Sequence, residues 1–192
     1  MLRRHCLAAI AALTSGRLAA ANGEDDLWQR LQAGGHVLLI RHAATHPGIG
    51  DPPGFRLGVC STQRNLSEAG KRDARAIGAA FRQRGISLGP VWSSRWCRCL
   101  DTARLAFGRV EDAPMLDSMF RDSEGAGQAK VRETLARVDA YAGKDNLVLV
   151  THDVNIRALV NESVAQGEIV VARADRGKLD VIGRLRAHVA EN

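Results

Sequence analysis

Two short apolar runs constrain this 192-residue chain more than anything else in it. Val37-Leu38-Leu39-Ile40 passes into Arg41-His42, and Leu147-Val148-Leu149-Val150 passes into Thr151-His152. Runs this short and continuous fit strands covered on both faces, which belong in a largely parallel sheet. Helical patterns separate them. Ser67 can cap a helix with Ala69, Ala74, Ile77 and Phe81 at helical spacing, ending at Gly85. Cys99 to Phe107 reads as another, and Val131, Leu135 and Val138 align on a third from Gln128 to Tyr141. Asp25 to Gln32 and Val154 to Val164 are further helical stretches, and Gly108 to Gly127 reads as irregular. Pro90 to Ser93 adds a short strand, and Ile169 to Ala172 and Leu179 to Ile182 flank a turn at Asp175-Arg176-Gly177-Lys178. Strands alternating with helices predict one α/β domain with a mostly parallel sheet, its last pair a hairpin that turns one strand antiparallel.

The amino terminus reads differently from the rest. Arg3 and Arg4 form a basic start, Cys6 to Leu13 is uninterruptedly apolar, and Ala19-Ala20-Ala21 offers an A-x-A cleavage site. Residues 1–21 are therefore expected to be a signal peptide and residues 22–192 the working domain, exported to a periplasmic or extracellular location. The formal charge of +6 loses Arg3, Arg4 and Arg17 with that leader, leaving +3. Such a mild excess favours an acidic small substrate. With no Lys/Arg cluster interleaved with aromatics, nucleic acid is not an expected partner. No apolar run reaches the roughly 18 residues of a membrane-crossing helix. Nor does a cysteine stand at the cleavage site to carry a lipid anchor. Cys60, Cys97 and Cys99 remain, and in an oxidising compartment two of the three can pair, Cys60 with Cys97 or with Cys99. Oligomeric state has no readable pattern here.

If the two apolar strands are parallel, His42 and His152 both stand at the carboxyl edge of one sheet, where open α/β sheets bind ligands. The strand through Val91-Trp92 leads into Ser93-Ser94, Arg95 and Arg98, bringing cations to the same edge. Guanidinium forks match phosphate oxygens, and a neutral imidazole can act as a nucleophile. Histidines after strands are commonly structural and arginines at helix starts commonly solvated, Arg95 among the candidates for that. The joint placement at three strand ends is what points to a phosphoryl pocket. A metal site is disfavoured: His46 lies in a loop, no third spaced ligand is present, and the arginines repel a cation. No cofactor is implied.

These residues resemble the histidine phosphatase superfamily, which includes the phosphoglycerate mutases. Arg41-His42-Ala43 with Thr45 is similar to its Arg-His-Gly signature, and Leu66-Ser67-Glu68-Ala69-Gly70 with Ala74 to its Leu-Thr-x-x-Gly-x-x-x-Ala helix start. Ser94 to Ala103 resembles its Ser-x-x-x-Arg-x-x-x-Thr-Ala segment. Thr151-His152-Asp153-Val154-Asn155 resembles its second histidine motif, in the His-Asp form of the acid phosphatase branch. The four occur in family order. The resemblance implies a three-layer α/β/α sandwich of phosphoglycerate-mutase type. It implies that His42 becomes phosphorylated, that Arg41, Arg98 and His152 hold the phosphoryl oxygens, and that Asp153 protonates the leaving group. Asp117, Asp122 and Glu124 stand as alternatives for that acid, and helix capping as the structural role for Asp153. Ala43 departs from the usual glycine. The reading is a metal-independent phosphomonoester hydrolase; a phosphate-recognising module without turnover and a phosphomutase are the alternatives. The loop from His46 to Gly58 and the segment from Met115 to Gly127 are expected to rim the pocket.

Overall fold

The structure, a computed structural model, describes residues 23–186. The expected leader lies outside the described residues. A first helix, α1, covers residues 23–32 and buries Leu27, Trp28 and Leu31. Then follow β1 (Val37–Arg41), α2 (Glu68–Gln83), β2 (Leu88–Ser93), α3 (Cys97–Phe107), β3 (Glu111–Asp112), α4 (Glu124–Asp139), β4 (Asn146–Thr151), α5 (Asp153–Val160), β5 (Ile169–Asp175) and β6 (Lys178–Leu185). Short 3-10 turns at Cys60–Thr62 and Pro114–Leu116 interrupt the longer connections.

The described sheet runs β3-β2-β4-β1-β5-β6. β3, β2, β4 and β1 are mutually parallel, while β5 pairs antiparallel with both β1 and β6. The final hairpin thus reverses β5 alone, as the turn at Asp175 to Lys178 implied. Side chains on successive residues of a strand leave by opposite faces. Leu38, Ile40, Val148 and Val150 pack with α1, α2 and α3, through Trp28, Leu31, Ile77, Phe81 and Ala103. Val37, Leu39, Leu147 and Leu149 pack on the other side with Met115, Leu116, Val138 and Ile156. Both faces are covered, which is why these strands carry no polar alternation, and the result is a three-layer α/β/α sandwich.

Two glycines of α2 set how closely the layers approach. A Cβ on Gly70 would overlap the Ala44 carbonyl oxygen, two residues past His42, and one on Gly78 would overlap that of Ala106 in α3. Ser67 caps α2, its Oγ accepting from the Gly70 N–H at 3.1 Å. α2 is thereby seated directly beneath the loop that follows β1.

The stretch from Gly108 to Gly127, expected to be irregular, holds β3, a 3-10 turn and the first turn of α4. α4 starts at Glu124, where Ser123 caps by accepting from the Ala126 N–H, rather than at Gln128. Gly125 and Gly127 weaken the helical pattern there without preventing it. α5 ends at Val160, earlier than expected, because Asn161 takes a left-handed conformation (φ 56°). Among the described residues, no helix is long and apolar enough to cross a membrane.

Candidate active site

β1 and β4 are neighbours in parallel register, Arg41 opposite Thr151, so the residues after them emerge side by side. The His42 N–H donates to the Thr151 carbonyl oxygen at 3.0 Å, and the two imidazoles lie 5.5 Å apart, centroid to centroid. On the other side of β4, β2 ends at Ser93. The Ser94 N–H donates to the Val150 carbonyl oxygen, and the first turn of α3 then delivers Arg98 to the same edge. Arg41, His42, Arg98, His152 and Asp153 all line one cavity of about 450 Å³. Parts of both predicted rim segments close it: Gly48, Ile49, Gly50, Asp51 and Phe55 from one, Ser118, Phe120, Arg121 and Asp122 from the other.

The state of His42 follows from its contacts. Nδ1 lies 2.9 Å from the Ala43 carbonyl oxygen. A carbonyl only accepts, so Nδ1 carries the proton and Nε2 keeps its lone pair. Burial pushes the imidazole pKa down to about 3, and the Arg98, Arg41 and Arg64 charges push the same way. The ring is neutral at ordinary pH. Ala43 donates its N–H to Thr102 Oγ1 at 3.0 Å, and that hydroxyl donates to the Arg98 carbonyl oxygen at 2.7 Å. These bonds lash the His42 loop to α3. The Ala43 methyl itself is buried with Leu66 and Ala74, so the departure from glycine is absorbed by packing.

His152 is also buried, and burial first, then the Arg98 charge, holds its pKa well below the ordinary histidine value. Arg98 Nη2, a donor only, stands 3.4 Å from Nδ1, so the ring proton is on Nε2 and goes to Ser94 Oγ at 2.9 Å. Ser94 in turn faces Asp117 Oδ1 at 3.4 Å. Asp117 is buried and gripped by Arg95, through the backbone N–H at 2.8 Å, Nε at 2.9 Å and Nη2 at 2.5 Å. Arg95 is therefore neither a cavity residue nor simply solvated: it pins the carboxylate behind His152.

Asp153 lies in the first turn of α5, but His152 occupies the cap position. Its carboxylate oxygens accept from Arg157 Nη2 at 2.7 Å and from the Val164 N–H at 2.9 Å. The same Val164 offers its carbonyl oxygen to Arg41 Nη1 at 2.6 Å. Of the alternative acids, Asp117 is behind the wall, and Glu124 is exposed on α4 and borders a separate depression. Asp122 alone reaches the cavity, paired with Lys130 at 2.7 Å.

Residues 37–124 match the family model of the histidine phosphatase superfamily (branch 1). Over that stretch, from β1 to the start of α4, the chain resembles the histidine phosphatase superfamily. Among solved structures, the alpha-ribazole phosphatase from Shigella flexneri is similar with a TM-score of 0.61 and 17% identity, covering 82% of this chain and 99% of that one. TTHB049 from Thermus thermophilus gives 0.57 and 21%, with 79% and 99% covered. The protein histidine phosphatase SixA complexed with tungstate gives 0.53 and 14%, with 79% and 97% covered. At these identities the likeness is one of fold. No curated protein matches the chain. The superfamily match is to branch 1 and ends before Thr151-His152-Asp153, the segment similar to the acid phosphatase branch.

The site has one feature that sequence reasoning missed. Asp51, in the loop after β1, has its side chain almost covered and accepts from Arg98 Nη1 at 2.7 Å, the Arg64 N–H at 3.0 Å and Trp96 Nε1 at 2.9 Å. Burial alone would raise its carboxyl pKa. The Arg98 and Arg64 hydrogen bonds outweigh that and hold it below the usual carboxylate range. An aspartate between Gly50 and Pro52 looks like a turn residue, and nothing local announces its partners. The loop is fixed a second time by a Cys60–Cys97 disulfide, with Cα atoms 5.6 Å apart, and Gln63 Oε1 accepts from the Cys97 N–H at 3.0 Å. Cys99 is the unpaired one, buried, its thiol pushed up to about 12 by burial.

Proposed function

We propose that this protein is a phosphomonoester hydrolase working through a phosphohistidine on His42. The observation carrying this is the bare Nε2 of a buried, neutral His42 that shares a cavity with Arg41, Arg98 and His152. Nε2 attacks phosphorus as the P–O ester bond breaks, and the departing alkoxide takes a proton, for which Asp153 is the proposed donor. Arg41 and Arg98 hold the phosphoryl oxygens as negative charge gathers on them, and His152 joins them by taking up a proton at Nδ1 when the phosphate dianion enters. Water then attacks the phosphohistidine, releasing orthophosphate and restoring His42. The site favours turnover over mere binding, because a phosphate receptor has no use for an imidazole kept unprotonated among three arginines. Export to an oxidising compartment is part of the proposal, supported by the leader pattern and by the Cys60–Cys97 pairing.

The test is release of orthophosphate from p-nitrophenyl phosphate, with and without a chelator. Quenching in alkaline denaturant, where phosphohistidine survives, should leave label on His42. His42→Ala should remain folded and lose both signals; ordinary turnover in that variant removes the assignment.

A further inference from the structure

The cavity is far larger than a phosphoryl group, and three of the side chains lining the surplus are aromatic. The wall begins at His152 itself. Trp96 packs edge-on to that imidazole at 5.7 Å between centroids, Phe55 follows Trp96 at 5.7 Å, and Arg121 lies over the Phe55 ring at 5.4 Å. Phe120, 60% exposed, closes from the opposite loop, its ring 3.7 Å from where a Cβ on Gly50 would stand. Ile49, 93% exposed, stands beside it. Several polar groups around the mouth are already engaged within the protein, though the Arg121 guanidinium and the Ser118 hydroxyl keep donors open. Asp122 holds Lys130, Asp153 holds Arg157 and the Val164 N–H, Arg64 donates to Thr45 and Gly50, and Gln166 donates to Thr45. A sugar would find Arg121 and Ser118 but few other open partners there, whereas a flat apolar group would find three aromatic side chains and an isoleucine.

Resting on the phosphatase reading above, we propose that the Trp96–Phe55–Phe120 wall is a leaving-group subsite selecting phosphomonoesters of alcohols that carry an aromatic, ring-sized group. Trp96 borders His152 in the same cavity, so the wall lies within reach of a group esterified to a phosphoryl held between His42 and His152. Burying a phenyl ring against such surface is worth about 1.5–3 kcal/mol, or about tenfold or more in affinity.

The test uses three primary-alcohol esters of similar leaving-group basicity: 2-phenylethyl phosphate, n-propyl phosphate and glucose 6-phosphate. In parallel, calorimetry compares the non-hydrolysable 2-phenylethylphosphonate and n-propylphosphonate. The phenylethyl compounds should win by about tenfold, in KM and in affinity, and Phe55→Ala should shrink that ratio to about threefold or less. Phe120→Ala, at an exposed position, should narrow it too and serves if Phe55→Ala fails to fold. Equal affinities, a glucose 6-phosphate preference, or a ratio unmoved in both variants overturns the subsite. Tight phenylethylphosphonate binding with no hydrolysis of any ester keeps the subsite and overturns the phosphatase reading instead.

Discussion

Asp51 Oδ1 and Arg98 Nη1 meet at 2.7 Å with both side chains almost wholly buried. The guanidinium is thereby split: Nη1 faces the carboxylate in the wall, and Nη2 faces His152 Nδ1 inside the cavity. A carboxylate there holds the fork in place but also offsets part of the charge proposed to draw in a phosphoryl group.

Asp51→Asn should separate those two effects. The amide still accepts from Arg98, yet one negative charge is gone. Turnover should fall by about ten- to a hundredfold, because the Arg98 bond loses its charge assistance and the new NH2 cannot accept from Trp96 Nε1, which loosens the fork. Inhibition by tungstate or orthophosphate should become tighter, because the site gains net positive charge. A variant weaker in both would mark Asp51 as a structural residue only. Asp51→Ala should also cost about 3–5 kcal/mol of stability by leaving a buried guanidinium unpaired.

Asp153→Asn tests the proton donor. A good aryl leaving group needs little protonation and an alkoxide needs nearly all of it. Alkyl phosphates should therefore slow by about a hundredfold or more, and p-nitrophenyl phosphate by much less. Equal losses in a folded variant would reassign the carboxylate to tethering Val164 and turn attention to Asp122, the alternative that borders the cavity.

Acid should act on stability before it acts on chemistry. His42 and His152 titrate well below 6.5 in the folded chain, His42 at about 3, chiefly through burial. Unfolded histidines take up protons below pH 6.5 while these two do not, so stability is complete above that value and falls as pH drops beneath it. Each residue contributes a slope approaching about 1.4 kcal/mol per pH unit. Denaturant titrations at pH 7.5 and 5.5 should show the loss. Over the same interval the pH profile of kcat/KM should show no histidine-type decline; a fall with a midpoint of 6–7 would contradict a neutral His42.

Cysteine chemistry gives a mass-resolved check. In a chain lacking residues 1–21, denaturing alkylation before reduction should modify Cys99 alone, and after reduction all three thiols. Under native conditions even Cys99 should stay unmodified, being buried with its thiol raised to about 12. Cys60 and Cys97 are 37 residues apart, so opening their bond should cost about 3–4 kcal/mol by loop entropy. It should also raise KM, since the freed loop carries Asp51.

How far the sequence could be read depended on whether a feature was local. Val37 to His42 and Leu147 to His152 state strand, burial and edge within six residues each, and the structure puts both histidines where that pattern implies. β3 is two exposed residues paired to Trp92 and Ser93, too short to leave any periodicity. Asp51 escaped because its meaning lies in Arg98, 47 positions away, and the place of Asp117 was not readable because the Arg95 that grips it sits 22 positions before it. Such residues become legible only once the chain has brought them together.

Val164 has a quieter consequence. Its side chain belongs to the apolar layer under the sheet, while its amide serves Asp153 and its carbonyl serves Arg41. One residue with no chemistry of its own therefore sets the spacing between the proposed phosphate anchor and the carboxylate beside it. The division between scaffold and catalyst breaks down at that point. A repacked interior, changed by a methyl group or two, would be transmitted as a mistuned reaction with every polar residue of the site still in place.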